Sequence, residues 1–357
     1  MNREFSKSFR LHTSLMARIL LGEYRDGDFL PSAGELADEF SVSIATVKRV
    51  FDVLAASNLI RRRNGRSPVV RLKSDYRNSV CKQLRVVVVF DRFDNGLYFG
   101  YRYAPWTWSL QQQIYKRLMK DHIPVVTIGK NDIDSMRQLL FSAAGVIYAT
   151  ARADMDLIEK FREMKLTYTV VTGFCEHCTE NMVCYNYQPA SERMAVYLLS
   201  RGVKKIDVIG NPRLDGRLDN LLVLLDKYGF KQGINLDSFE VSELYNCPQL
   251  EVRYSEPTPE EHLPLGIVCY NDYHASVVNR VLEKHKYRSK QDFVIISLGD
   301  LLEPADGGYC TLEIPELAEK SVDMLYRRMV NSQDEACCYV EPVFVVDRKK
   351  TKKQREQ

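Results

Sequence analysis

The sequence predicts an α/β protein: a small helical head followed by a large, two-lobed body of doubly wound parallel sheets. Three observations carry that expectation. The chain has 357 residues, more than one core usually organises, so two to three cores of about 150 residues each are expected. Between positions 85 and 330, short continuous apolar runs alternate with amphipathic stretches, the rhythm of strands covered on both faces by helices. The first 70 positions lack this rhythm and show helical spacings that end in a hairpin pattern. With 45% hydrophobic and 27% charged residues, the composition excludes disordered, collagen-like and disulfide-scaffold classes.

Leu11, Leu15 and Ile19 recur at helical spacing and Gly22 offers a stop, which predicts a first helix over 9–21. Tyr24-Arg25-Asp26-Gly27-Asp28 is turn chemistry. Pro31-Ser32 then opens a second helix over 35–40, with Leu36, Ala37 and Phe40 on one face. Ser43 is a good cap for a third, in which Val47, Val50, Phe51 and Leu54 form the buried stripe. The runs 59–63 and 66–71 read as two strands around Asn64-Gly65. Helix, helix, helix, hairpin is a winged helix-turn-helix, expected over 1–71. Residues 72–84 are polar and aperiodic and read as a linker. The body is expected over 85–346. Its first strands fall at 85–91, 124–129, 145–150 and 167–172. A second series falls at 183–186, 205–210, 265–270 and 293–298. The helices between them fall at 109–121, 133–143, 155–164, 190–201, 217–228, 273–284 and 314–330. Positions 347–357, with six Lys or Arg between 348 and 355, read as a solvated basic tail.

The net charge of +3 is unevenly spread: positions 1–80 carry +5 and the remainder −2. A basic head on a slightly acidic body suggests a polyanion partner for the head. The exposed face of the third helix offers Ser43, Thr46, Lys48 and Arg49 to a DNA major groove. Ser32, opening the second helix, suits phosphate through its hydroxyl and backbone N–H. Arg61, Arg62, Arg63 and Arg66 on the hairpin would follow the DNA backbone or enter the minor groove. On charge alone a solvated helix face beside an ordinary basic hairpin is the favoured reading; the order of the elements turns it toward DNA. No run approaches the roughly 18 apolar residues needed to span a bilayer, so no membrane partner is expected. Positions 1–21 lack a secretory pattern. Nine cysteines, an odd number, read as reduced thiols, and a cytoplasmic location is expected.

In the body, polar groups at the carboxyl ends of parallel strands are the candidates for a cleft between lobes. These are Asp91, Arg92, Asn186, Arg217, Asn271, Asp272 and Asp300. Carboxylates, amides and arginines pair with sugar hydroxyls; for any one of these residues a helix cap or loop hydrogen bond serves as well. The run 92–109 holds Phe93, Tyr98, Phe99, Tyr101, Tyr103, Trp106 and Trp108. Trp106 is a candidate to stack on a sugar face, against core filling or a dimer contact. Cys175-Glu176-His177-Cys178 with Cys184 has no second Cys/His pair at a fitting distance, so no metal is expected. No phosphate-binding glycine loop, nucleophile elbow or paired-carboxylate motif occurs, so neither a cofactor nor catalysis is expected. The alternative is a cytosolic α/β enzyme acting on a small polar substrate. Asp91, Asp272 and Asp300 would be its acids or bases and the head a regulatory module. A head used only for protein contacts is a third possibility.

The stretches Leu30-Pro31-Ser32-Ala33-Gly34-Glu35-Leu36-Ala37, Val42-Ser43-Ile44-Ala45-Thr46-Val47-Lys48-Arg49 and Leu59-Ile60-Arg61-Arg62-Arg63-Asn64-Gly65-Arg66 resemble, in order and spacing, the GntR-type winged-helix repressors over about 9–72. The chain departs from that pattern at Gly34 and Ile44, where arginine is usual, and at Ser67-Pro68 of the wing. The body resembles the effector domain of LacI-type repressors, itself similar to periplasmic sugar-binding proteins, over about 84–346. The likeness rests on Leu198-Leu199-Ser200-Arg201-Gly202-Val203-Lys204-Lys205-Ile206, on Arg217-Leu218 following Gly210-Asn211-Pro212, and on Val268-Cys269-Tyr270-Asn271-Asp272. Such a head on such a body resembles the arabinose-responsive repressors of the GntR family. The resemblance implies a hinged two-lobe receptor whose cleft closes on a small polar ligand, and it makes Arg217 and Asn271 the ligand contacts that match position by position. The order of basic winged head, linker and two-lobed body without catalytic motifs predicts a repressor that binds DNA as a homodimer and is released by a small sugar.

Overall fold

The computed structural model describes residues 3–63, 66–72, 84–91, 105–174, 181–209, 219–236, 248–256, 258–288, 291–299, 307–331 and 337–346. The head comprises α1 (Arg3–Leu21), α2 (Ala33–Phe40), α3 (Ile44–Ala56), β1 (Ile60–Arg63) and β2 (Arg66–Val70). Leu11, Leu15 and Ile19 of α1 join Leu36, Val47, Val50, Phe51 and Leu54 in one core, as the spacing predicts. The first helix starts earlier than expected, at Arg3. Ser41 adopts a left-handed backbone, φ 49°, and ends α2 sharply enough for α3 to begin three residues later. β1 and β2 pair antiparallel with Ile60 opposite Val70, and Phe29 bridges Val69 as a third rung. The Asn64-Gly65 turn lies outside the described residues.

The body continues, in chain order, with β3 (Val86–Phe90), α4 (Pro105–Lys120), β4 (Val125–Gly129), α5 (Arg137–Phe141), β5 (Gly145–Arg152), α6 (Met155–Glu163), β6 (Tyr168–Phe174) and β7 (Met182–Tyr185). Next come α7 (Gln188–Ser200), β8 (Lys205–Ile209), α8 (Asp219–Lys227), β9 (Lys231–Leu236), α9 (Pro248–Ser255), β10 (Leu265–Cys269) and α10 (Asp272–Lys284). The last elements are β11 (Phe293–Ser297), β12 (Gly308–Thr311), α11 (Ile314–Val330), β13 (Cys338–Val340) and β14 (Val343–Val345). Two six-stranded sheets result, in the orders β13-β7-β6-β5-β3-β4 and β14-β12-β11-β10-β8-β9. Every pairing in the body is parallel except β12 with β14. Central strands such as Val86–Phe90 and Leu265–Cys269 are wholly buried, which is why they read as unbroken apolar runs.

The chain passes between the sheets after β7, after β12 and between β13 and β14. β13 runs parallel to β7, with Val340 opposite Tyr185, so its exit lies at the carboxyl edge of the first sheet. β14 begins opposite Thr311, the last residue of β12, at the carboxyl edge of the second sheet. Only Glu341 and Pro342 separate them. The crossings therefore run from the carboxyl edge of one sheet to that of the other, the edges on which the candidate polar residues stand.

Several expectations need correction. The strand expected to open the second series, 183–186, is β7 and belongs to the first sheet, paired with β6 and β13. The helix expected at 109 starts at Pro105, so Trp106 and Trp108 lie in a helix rather than a loop; proline suits the first helical position because its missing N–H would be unpaired there anyway. The helix expected over 133–143 shrinks to Arg137–Phe141, preceded by a separate turn at Lys130–Asp132. The sequence does not predict β9, β12, β13 and β14, which are short, at or near sheet edges and mixed in polarity, nor α9, a short helix packed on α10. The expected linker, except Leu72 and Leu84, and the basic tail lie outside the described residues. Among the described residues no helix is long and apolar enough to cross a membrane.

Candidate functional site

The exposed side of α3 changes character along its length. Ser43, Ile44 and Ala45 form an exposed tip, Lys48 and Arg49 follow one turn later, and Asp52 one turn after that. Ser43 caps the helix: its Oγ accepts the Thr46 N–H at 3.1 Å and lies 2.9 Å from Thr46 Oγ1. Lys48 and Arg49 have no ion-pair partner among the described residues, nor do Arg61 and Arg66 of the wing. Arg62, by contrast, is held by Asp52, pinning the wing to α3. Arg63 lies over the Phe29 ring at 5.8 Å. The wing arginines are thus of two kinds, two unpaired and two engaged within the head.

Ser32 also departs from expectation. Its backbone N–H donates to Glu35 Oε2 at 2.7 Å, and its Oγ accepts the Glu35 N–H at 3.2 Å, a closed capping box. These Ser32 bonds hold the Glu35 carboxyl below the usual carboxylate range. The N–H proposed for phosphate is therefore already satisfied, and only the hydroxyl proton remains to donate.

In the first lobe Asp91 directly follows β3. Its carboxylate accepts hydrogen bonds from Tyr148, at 3.3 Å, and from Thr150, and Lys130 Nζ lies 3.6 Å away. Burial, reinforced by the Asp91 charge, pushes the Tyr148 phenol well up. The first turn of α4 places Trp106 beside the end of β7, where its Nε1 donates to Tyr185 OH at 3.3 Å and the rings meet edge to face at 6.3 Å. Asn186 follows β7; its N–H donates to Val340 O at 2.9 Å and its Oδ1 accepts the Gln188 N–H at 3.1 Å, tying the first crossing to β13. In the second lobe Asn271 caps α10, accepting the His274 N–H at 2.8 Å. Asp272 is 2% exposed and lies beside Gly299, at the ends of β10 and β11.

Asp91, Trp106, Asn186, Asn271 and Asp272 thus all stand on the two carboxyl edges. Arg92, Arg217 and Asp300 lie outside the described residues, as do Phe93, Tyr98, Phe99, Tyr101, Tyr103 and Cys175-Glu176-His177-Cys178. Sequence reading missed Lys130, Tyr148 and Tyr185. The signal for Lys130 was present, a polar residue directly after an apolar strand; Tyr148 and Tyr185 sit inside strands and carried none. Among the described residues no three His, Cys, Asp or Glu side chains converge as metal ligands. A crevice of about 1080 Å³ opens elsewhere, where α1 and the end of α2 meet the first lobe near Leu140, Lys165 and Arg328.

Residues 9–70 match the bacterial regulatory proteins of the gntR family. The head is a GntR-family DNA-binding domain. A search of curated proteins finds no match. Among solved structures, the body of this GntR-headed chain is similar to a LacI family transcriptional regulator from Enterococcus faecium with bound ribose, at 17% identity and TM-score 0.57 over 73% of this chain and 96% of that one. It is similar to a putative transcriptional regulator LacI from Bacillus cereus subsp. cytotoxis, at 16% identity and TM-score 0.60 over 74% and 97%. A cellobiose complex of the transcriptional regulator CelR matches 89% of this chain and 99% of its own at 15% identity, TM-score 0.59. At such identities the likeness is one of fold, and that fold is the two-lobed, periplasmic-binding-protein-like body of LacI-family regulators.

Proposed function

We propose that this chain is a ligand-responsive transcriptional regulator, a repressor that binds operator DNA as a homodimer through two GntR heads and releases it when a small sugar fills the interlobe cleft. One observation carries the reading: a GntR head sits on two sheets joined at their carboxyl edges by three crossings. The ribose and cellobiose held by regulators of the same body fold support a carbohydrate, and a monosaccharide suits the polar set on the two edges. Asp91, Asn186, Asn271 and Asp272, with Arg92, Arg217 and Asp300 from the adjoining loops, would bond its hydroxyls, and Trp106 would stack on its C–H face. The chain would bind and release this ligand unchanged, and in the cytoplasm, where its DNA is.

On the DNA side, Lys48, Arg49, Arg61 and Arg66 supply unpaired cations and Ser32 a hydroxyl for phosphates. Ser43 and Thr46 set the start of the recognition helix, and Arg62 and Arg63 brace the wing. Coupling between the sites runs through α11. This helix starts at the second crossing, where Glu313 takes a left-handed backbone of φ 38°. It packs on α4, β5, β6 and β7 and ends against α1, with Val330 O accepting the Ser14 hydroxyl at 3.1 Å. A change of angle between the lobes would thus move the heads away from half-sites about 34 Å apart. A near-complete switch requires the sugar to favour one state by about 5.5 kcal/mol.

The test is DNA affinity of the full chain against salt, with and without a panel of monosaccharides. Affinity should fall steeply with salt, and Lys48→Ala and Arg49→Ala should each reduce the log–log slope by about one. A flat salt response contradicts the phosphate contacts. A fitting sugar at 100 times its Kd should stabilise the chain by about 2.7 kcal/mol, with the shift lost in Arg217→Ala. A panel that neither shifts melting nor releases DNA contradicts the sugar-responsive reading.

A further inference from the structure

The tip of α3 is apolar where a recognition helix would meet base edges. Ile44, the first helical residue, is 50% exposed, and Ala45 beside it is exposed as well. The polar groups of the same turn bond to each other: Ser43 Oγ accepts the Thr46 N–H and pairs with Thr46 Oγ1. The cations begin only one turn further on, with Lys48 four residues after Ile44 and Arg49 four after Ala45, so each tip residue shares a face with a cation behind it. Asp52, the next residue on that face, would repel phosphates, but Arg62 neutralises it. Along the row Ile44, Lys48, Asp52 the helix is apolar, then cationic, then internally compensated; on the neighbouring row Val53, 48% exposed, follows Arg49. An exposed isoleucine at a helix start has no folding rationale here, since the core of α3 is complete with Val47, Val50, Phe51 and Leu54. The major groove offers one apolar feature, the 5-methyl group of thymine.

We propose that Ile44 is a specificity residue that reads thymine methyl groups, with Ala45 allowing the close approach, so that each half-site presents T·A pairs under the helix tip. This rests on the DNA-binding reading above and adds the base class it selects. Lys48 and Arg49 then serve the flanking phosphates rather than guanine.

The operator is unidentified, so the probe is a pool of random duplexes enriched on the full-length chain. The recovered duplex is then made with either thymine or deoxyuridine at its recovered T positions. The enriched pool should carry T·A pairs at symmetric positions in both half-sites, and each lost methyl should weaken binding about fourfold, the worth of one buried methyl-sized group. Ile44→Ala should bind the thymine duplex more weakly and no longer distinguish it from the deoxyuridine one. Ile44→Arg should shift enrichment toward G·C at the same positions, because a guanidinium pairs with guanine N7 and O6. Both substitutions are at an exposed position and leave the core intact. A pool that enriches on guanine, or a thymine preference that survives Ile44→Ala, overturns the methyl contact alone. A pool that does not enrich, with no duplex bound at low salt, overturns the DNA-binding reading and this inference with it.

Discussion

Polar residues at helix starts serve the fold first. Ser32, Ser43, Asn186 and Asn271 all satisfy a backbone N–H at or beside a helix N-terminus, because the first turn of any helix leaves such donors unpaired. What each has left over for a ligand is a hydroxyl proton or an amide nitrogen. Glu35 makes the point testable. Its carboxyl is held below the usual range by the Ser32 bonds, so the folded state favours the carboxylate. The stabilisation is fully present above the ordinary glutamate value, about 4.3, and is lost as pH falls through the lower folded value. Melting curves between pH 6 and pH 3 should show the wild type losing more stability over the acid end than Glu35→Gln, which keeps an acceptor in the box but cannot be protonated there. Parallel curves would show that the charge of Glu35 does not matter to the cap.

Two of the glycines that pack closely meet different kinds of neighbour. A Cβ on Gly145, at the start of β5, would fall 2.7 Å from Met329 Cε and 2.8 Å from Leu325 Cδ1, the flexible ends of α11 side chains. A Cβ on Gly307, just before β12, would fall 2.1 Å from the Ile295 carbonyl oxygen, which is backbone of the neighbouring strand and has nowhere to go. Gly307→Ala is expected to destabilise by about 3 kcal/mol, at the high end for overpacking, and Gly145→Ala by less because methionine and leucine can re-pack. Urea midpoints of the two variants check the order; a Gly307→Ala protein as stable as Gly145→Ala would contradict it. Long central strands were readable as continuous apolar runs, whereas Cys338–Val340 and Val343–Val345 were not. Three residues give no period, and their strand character comes from the neighbours they pair with.

In the whole molecule, head and body are one mechanical path through α1 and α11. Leu11, Leu15 and Ile19 pack within the head, while Ser14, 1% exposed, reaches the last carbonyl of α11. Ser14→Ala should leave DNA binding and the sugar-induced melting shift in place but shrink the ratio of DNA affinities without and with sugar by about two- to thirtyfold, the range for a residue on a coupling route. An unchanged ratio would place the route elsewhere.

The winged head, the alternation of strand and helix and the basic face of α3 were determined by the amino-acid sequence alone, because caps, helical spacing and buried runs act over a few neighbouring residues. Tertiary structure decided the rest. It moved β7 into the first sheet, paired Arg62 with Asp52, spent the Ser32 N–H on Glu35 and brought Asp91 against Tyr148 and Lys130. Except for the Ser32 cap, those partners are 10 or more positions apart, and only the packing of whole elements sets which of them meet.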